Sequence, residues 1–203
     1  NLGKFNHYII LPHFNISVSK IISKIPKDKL LILDIDVKEF SSDYAILYQN
    51  FEKNIYNGLL SCVEKIKKYE GLNLVLSQKS FQYTPKGIIK GFTKFCEEKS
   101  IPHDIIPDLE AEYDLKENQA YIVFREFDLI KMINWASKKQ WKFGKNIGVL
   151  SYDDTPLKEI ISEGISVISN NFSLMGKRAA EMILNKEKGR YSNDFYFEDR
   201  NSL

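Results

Sequence analysis

The sequence predicts an α/β protein built on parallel sheets, and three features carry that expectation. Short apolar runs alternate with longer stretches of helical period, the runs are near-continuous instead of every second residue, and two of them end in acids. HYIIL, LLILDID, YAILY, LNLVLS, AYIVF, NIGVLS and ISVIS are each bounded by polar or turn residues, the pattern of strands buried on both faces. Between them, residues 51–70 place Ile55, Leu59, Cys62, Val63 and Ile66 on one helical face, with Gly71 as the stop. Thr84–Pro85 opens a helix with Ile88, Phe92, Phe95 and Cys96 inward. Residues 126–140 do the same with Leu129, Ile130, Ile133 and Trp135, and residues 172–186 with Met175, Ala179, Met182 and Ile183. In sheets of this kind ligands sit beyond the carboxyl ends of strands. LLILD and LSYDD put Asp34, Asp153 and Asp154 at such ends.

Composition narrows the function. The chain has 203 residues, 43% of them hydrophobic, enough for one large domain or two small lobes with their own cores. Net charge is +2, with acids and bases interspersed, so no basic face points to nucleic acid. No apolar run approaches the roughly 18 residues needed to span a membrane, and no signal peptide opens the chain. The chain lacks an initial Met and enters a strand almost at once, as a piece cut from a longer protein would. Cys62 and Cys96 are far apart and lack metal-ligand spacing, which predicts buried free thiols in a reducing compartment. There is no Gly-rich phosphate loop, and His7, His13 and His103 have no nucleophile motif beside them. No cofactor and no metal is expected.

Two resemblances compete for the acids. LLILDIDV resembles the opening motif of haloacid-dehalogenase-type phosphatases, with Asp34 as nucleophile and Asp36 two residues on. Ser77, Lys86 and the acids of LSYDDT follow in the family's order. That arrangement would make a Mg2+-dependent phosphoryl-transfer enzyme. Against it, the family's Thr four residues after the first Asp is Lys38 here, and SYDDT lacks the glycine before its acids.

The C-terminal stretch carries the stronger resemblance. SYDDT, ISVISNNF, MGKRAA and DRNSL stand in order. They are similar to the G-[FY]-D-D strand end, second strand, M-G-x-x-A helix and R-x-[ST] ending of the effector-binding module of lac-repressor/GalR-type transcription regulators. Upstream, GIIKGFTKFCEEKSIPHDII and NIYNGLLSCVEKIKKYEGLNLVLS match the module's preceding helix–strand units more loosely. The resemblance implies a periplasmic-binding-protein-like type I fold: two parallel-sheet lobes, a cleft and a hinge of three crossings. It also implies that about sixty residues of the first lobe, and a DNA-binding domain (a GntR winged helix in one branch), precede this stretch. The first lobe would hold residues 1–47 and 172–193, the second 50–169 and 196–203, with crossings near Tyr48–Gln49, Asn170–Asn171 and Asp194–Phe195.

The same resemblance implies a non-enzymatic, cytoplasmic, dimeric sensor. A small sugar would shift the lobes and thereby DNA binding. An uptake protein of the periplasm sharing the fold is the alternative. Asp153 maps to the acid that accepts effector hydroxyls, a role suited to a pure acceptor. Asp154 or Thr155 is then expected to cap the helix starting at Pro156. Asp34 maps to a cleft-facing position in the first lobe, Arg125 to a polar contact after AYIVF, Asn170 to one beside the hinge, and Phe172 to an apolar wall. The family's Arg before its R-x-x-G-[FW] helix is Ile88 here, leaving Lys86 or Tyr83 to replace it. His13 and Phe14 are expected at the lip.

Overall fold

The computed structural model describes residues 3–13, 19–76, 85–107, 109 and 115–203, with the Ile21 side chain excepted. Tyr83, Ser77 and Phe14 lie outside the described residues. The chain forms two compact units. One is built mainly from Asn1–Asn50 and Asn170–Asp194, the other from residues 51–76, Lys86–Ser169 and Phe195–Leu203.

In the first unit, β1 (Tyr8–Ile10), the single turn α1 (Ser19–Ile22), β2 (Leu30–Asp34) and β3 (Ala45–Tyr48) run in sequence. The second unit follows with α2 (Phe51–Ser61), α3 (Val63–Ile66), β4 (Gly71–Val75), α4 (Lys86–Lys99), β5 (His103–Ile106), β6 (Gln119–Val123) and α5 (Glu126–Lys138). It continues through β7 (Gly148–Tyr152), α6 (Pro156–Ile160) and β8 (Ser166–Asn170). The chain then supplies α7 (Phe172–Leu184) and β9 (Gly189–Ser192) to the first unit and ends in β10 (Phe195–Glu198).

The first sheet has the order β1-β2-β3-β9 and the second β10-β8-β7-β6-β4-β5. Pairs β1–β2, β2–β3, β3–β9, β4–β5, β4–β6, β6–β7 and β7–β8 are all parallel. The chain is α/β with parallel sheets, as the βα alternation predicts.

Strand period explains how each sheet acquires two cores. Along β2, Leu30 and Ile32 join Ile22, Ile25, Phe40 and Tyr44 on one side. Leu31 faces the other way, to Met175, Ala179 and Met182 of α7. In the second sheet Leu72, Leu74, Ala120, Ile122 and Leu150 face α2 and α4. Val75, Tyr121, Val123 and Val149 face Leu129, Met132 and Ala136 of α5. Cys62 and Cys96 are free and buried; burial pushes both thiols up to about 12. No helix among the described residues is long and apolar enough to cross a membrane.

Two expectations need correction, and one strand is additional to those expected. The helix predicted over residues 51–70 breaks at Cys62, whose φ of −119° and ψ of 18° separate α2 from α3. The inward face of α5 is Asp128, Leu129, Met132 and Ala136. Ile130 is exposed and Ile133 and Trp135 are only partly buried, because the helix turns about one position from the phase read from its apolar residues. Strand β9, GRYS, carries no apolar run and was not anticipated.

Helices α2 and α4 meet through glycine. A Cβ at Gly91 would lie 2.3 Å from the Glu52 carbonyl oxygen and 2.5 Å from Ile55 Cγ2. Main chain cannot yield as a flexible side chain does, so Gly91→Ala should destabilise by about 1–3 kcal/mol through overpacking. Urea unfolding reads this directly, and an unchanged midpoint would mean that the helices separate freely.

Candidate functional site

The carboxyl ends of β6 and β7 form one polar face of the second unit. Val123 pairs with Ser151. One residue on, the rings of Phe124 and Tyr152 stack with centroids 4.7 Å apart. Arg125 and Asp153 then follow the ends of these two neighbouring strands.

Asp153 turns out of the strand with φ 59°, a left-handed conformation that Asp tolerates better than most residues but that still carries strain. Its N–H donates to the Ile168 carbonyl at 2.9 Å. From below, the ammonium of Lys158 donates to the carbonyls of Tyr152 (3.1 Å) and Asp153 (2.6 Å). Arg125 ends in a fork to the buried Asp128, Nε to Oδ2 at 2.7 Å and Nη2 to Oδ1 at 2.8 Å. Its orientation is therefore set from within the protein. Lys86 is the exposed first residue of α4, and none of the described contacts joins it to Asp153 or Arg125.

The second acid does something else. The Arg200 guanidinium holds both Asp154 oxygens, Nη1 to Oδ1 at 2.8 Å and Nη2 to Oδ2 at 2.6 Å. Tyr196 Oη donates to Oδ2 at 3.4 Å, while the Asp154 N–H donates to Ser169 Oγ at 2.9 Å. The paired guanidinium keeps the Asp154 carboxyl below the usual carboxylate range, against a smaller upward push from burial. This overturns the capping expectation. Thr155 occupies the N-cap position of α6, but no side chain caps the helix, and its Oγ1 donates to Glu126 Oε1 at 3.2 Å. Asp154 instead ties the β7 end to the closing strand, joining two motifs 46 residues apart. Ser202 completes the tie by accepting from the Ser166 N–H at 2.7 Å and donating to the Val149 carbonyl at 2.6 Å.

In the first unit the end of β2 is arranged similarly. Asp34 has φ 77°. Its Oδ1 accepts from Gln49 Nε2, and its Oδ2 lies 2.5 Å from His13 Nε2. The Asp34 side chain is 10% exposed and that of His13 48%, so His13 is the outward member of the pair. The buried Gln49 Oε1 has no partner among the described residues. The structure thus joins Asp34 and His13 directly, and it adds Gln49, which sequence reading missed because a Gln after YAILY carries no motif.

Asn170 and Phe172 are not joined to that pair by any described contact. Asn170 is buried; its Oδ1 accepts from Asn193 Nδ2 at 3.0 Å and its Nδ2 donates to Met175 Sδ at 3.5 Å. Phe172 opens α7 and is exposed. Asn171 caps that helix by accepting the Leu174 N–H at 2.9 Å. Asn193, unmarked in the sequence, also donates to the carbonyls of Asn171 and Asp194.

No model of a protein family matches the chain, and no curated protein matches it. Solved structures do. A regulatory protein of the LacI family from Chloroflexus aggregans is similar at TM-score 0.77 and 11% identity, over 98% of this chain and 77% of that one. The lactose repressor bound to the anti-inducer ONPF is similar at TM-score 0.72 and 15% identity, over 98% and 79%. The complex of the transcriptional regulator CelR with cellobiose is similar at TM-score 0.74 and 10% identity, over 98% and 66%. The chain therefore has the periplasmic-binding-protein-like α/β fold of LacI-family effector-binding domains.

Proposed function

We propose that this chain is the effector-sensing part of a bacterial transcription regulator. It binds a neutral sugar or sugar-like molecule and controls a separate DNA-binding domain in the cytoplasm. The observation that carries the reading is the division of the acid pair: Asp154 is committed to Arg200, while Asp153 turns out of β7 at the strand end where this fold takes ligands. Asp153 is the proposed hydroxyl acceptor, with Arg125 beside it as donor. Asp34 with His13, and Asn170, Phe172, Lys86 and Tyr83, are proposed contacts of their own regions.

That the similar structures are transcription regulators, one in complex with cellobiose, supports this reading over an uptake protein. The phosphatase alternative draws no support from the carboxylates. Asp36 pairs with Arg190 and Lys38 and Asp34 with His13, so the two acids turn to different partners. Isothermal titration against a panel of neutral mono- and disaccharides, cellobiose included, tests the proposal on full-length protein. Saturable heat with at least one sugar is expected, and silence across neutral sugars alongside turnover of phosphoesters with Mg2+ would reverse it.

A homodimer is part of the proposal. The second unit exposes Phe127 and Ile130 on α5 and Leu157 and Ile160 on α6, side chains that association would cover. A stable interface buries above about 1,200 Å2 in total. Sedimentation of the full-length protein at micromolar concentration should therefore give twice the monomer mass; a monomer there contradicts this part.

A further inference from the structure

The least expected group at the β7 end is Lys158. It is the third residue of the five-residue α6, and at 2% exposure it is among the largest fully buried side chains. A buried ammonium is costly unless its donors are satisfied, and here they go to main chain: the carbonyls of Tyr152 and Asp153, two successive groups where β7 leaves the sheet. The same residue's backbone anchors the turn. Its N–H donates to the Thr155 carbonyl at 2.9 Å, and its carbonyl accepts the Ile165 N–H at 2.7 Å.

We infer that Lys158 is a positioning residue for ligand recognition: its buried ammonium locks the left-handed turn at Asp153 and so aims the Asp153 carboxylate. The inference rests on Asp153 being a ligand contact. Burial draws the Lys158 amine below the usual lysine range, and the carboxylates of Asp153, Glu126 and Asp154 oppose that shift. The cation therefore lies within the field of the acid it orients. An acid offset in this way suits the hydroxyls of a neutral ligand better than a cationic one.

The first test needs no ligand. The Asp153 amide is held by the Ile168 carbonyl at 2.9 Å, so its hydrogen exchange reports the turn, while the amides of Val149, held by the Ser202 carbonyl at 2.7 Å, and of Leu150, inside β7, report the strand away from it. In Lys158→Met, exchange at Asp153 should rise at least tenfold relative to Val149 and Leu150. A uniform rise at all three, or no change at Asp153, overturns the inference, because a purely structural lysine affects the sheet as a whole. Lys158→Gln, uncharged but still a donor, is the second variant should Met not fold, and an intermediate local rise is expected from it.

The second test is a double-mutant cycle in full-length protein, titrated with the neutral sugar that the panel selects. Lys158→Met should weaken binding about tenfold in the natural background and less than twofold beside Asp153→Ala. Equal losses in both backgrounds mean that Lys158 does not act through Asp153. Local loosening without any sugar binding to the unaltered protein would instead count against the effector reading, and with it the part in recognition, and leave only the lock on the Asp153 turn standing.

Discussion

Asp153→Ala is expected to weaken effector binding about a hundredfold, and Asp153→Asn about tenfold. A hydrogen bond to a charged group is worth roughly 1.5–3 kcal/mol, and each tenfold in affinity is about 1.4 kcal/mol. Asp153 Oδ1 is buried, so one such bond at the upper end of that range is counted; its loss gives about a hundredfold, while Asn keeps an acceptor without the charge. The left-handed φ of 59° at this position decides how the two variants fold. Asn accepts that conformation as readily as Asp, so Asp153→Asn should lose stability only through the charge that it removes beside the buried Lys158 ammonium. Ala adds a backbone penalty of about 1 kcal/mol. Calorimetric titration beside urea unfolding separates the two effects. Normal binding by Asp153→Asn with early unfolding would show that the turn is structural only.

Asp154→Ala should show the opposite pattern, losing stability with affinity almost unchanged. The two side chains of the Asp154–Arg200 pair are 14% and 16% exposed. Removing one partner leaves the other charge poorly solvated, at a cost of about 3–5 kcal/mol for a buried pair. Partial exposure reduces this to roughly 2–3 kcal/mol. Arg200→Met should cost a similar amount, and the double variant less than the sum of the two.

The pair also sets a pH dependence. The folded-state pKa of Asp154 is lowered by Arg200, so above the unfolded carboxylate value of about 3.9 the pair contributes fully. As pH falls below that value the unfolded chain binds the proton first, and the contribution is lost as pH passes through the lower folded value. The stability gap between the natural protein and Asp154→Asn should therefore be widest near neutrality and narrow below about pH 4. A gap that holds constant down to pH 2 would mean that the pair contributes no charge-dependent stability.

Much of the architecture was legible because burial on both faces leaves a strong trace in sequence. LLILD, AYIVF and ISVIS read as strands without ambiguity, and Ile88, Phe92, Phe95 and Cys96 mark the buried face of α4 correctly. Where polar residues sit inside, the trace fails. The buried Asp128 on α5 displaced the apparent apolar face and made Ile130 look internal. β9 pairs with β3 through main-chain hydrogen bonds, which any residue can make, so GRYS carried no signal.

The site divides the same way. Sequence alone determined that acids close β2 and β7, since strand ends and charged residues are both local features. It also brought out the two C-terminal motifs, SYDDT and DRNSL, as separate signals. Only the tertiary structure decided which partners each acid meets. Asp154 meets a guanidinium 46 residues away, Asp34 meets His13 and Gln49 from different segments, and the buried Lys158 donates to the Asp153 carbonyl. A carboxylate's role is set by which donors surround it in space, and those donors come from distant parts of the chain that local pattern does not connect.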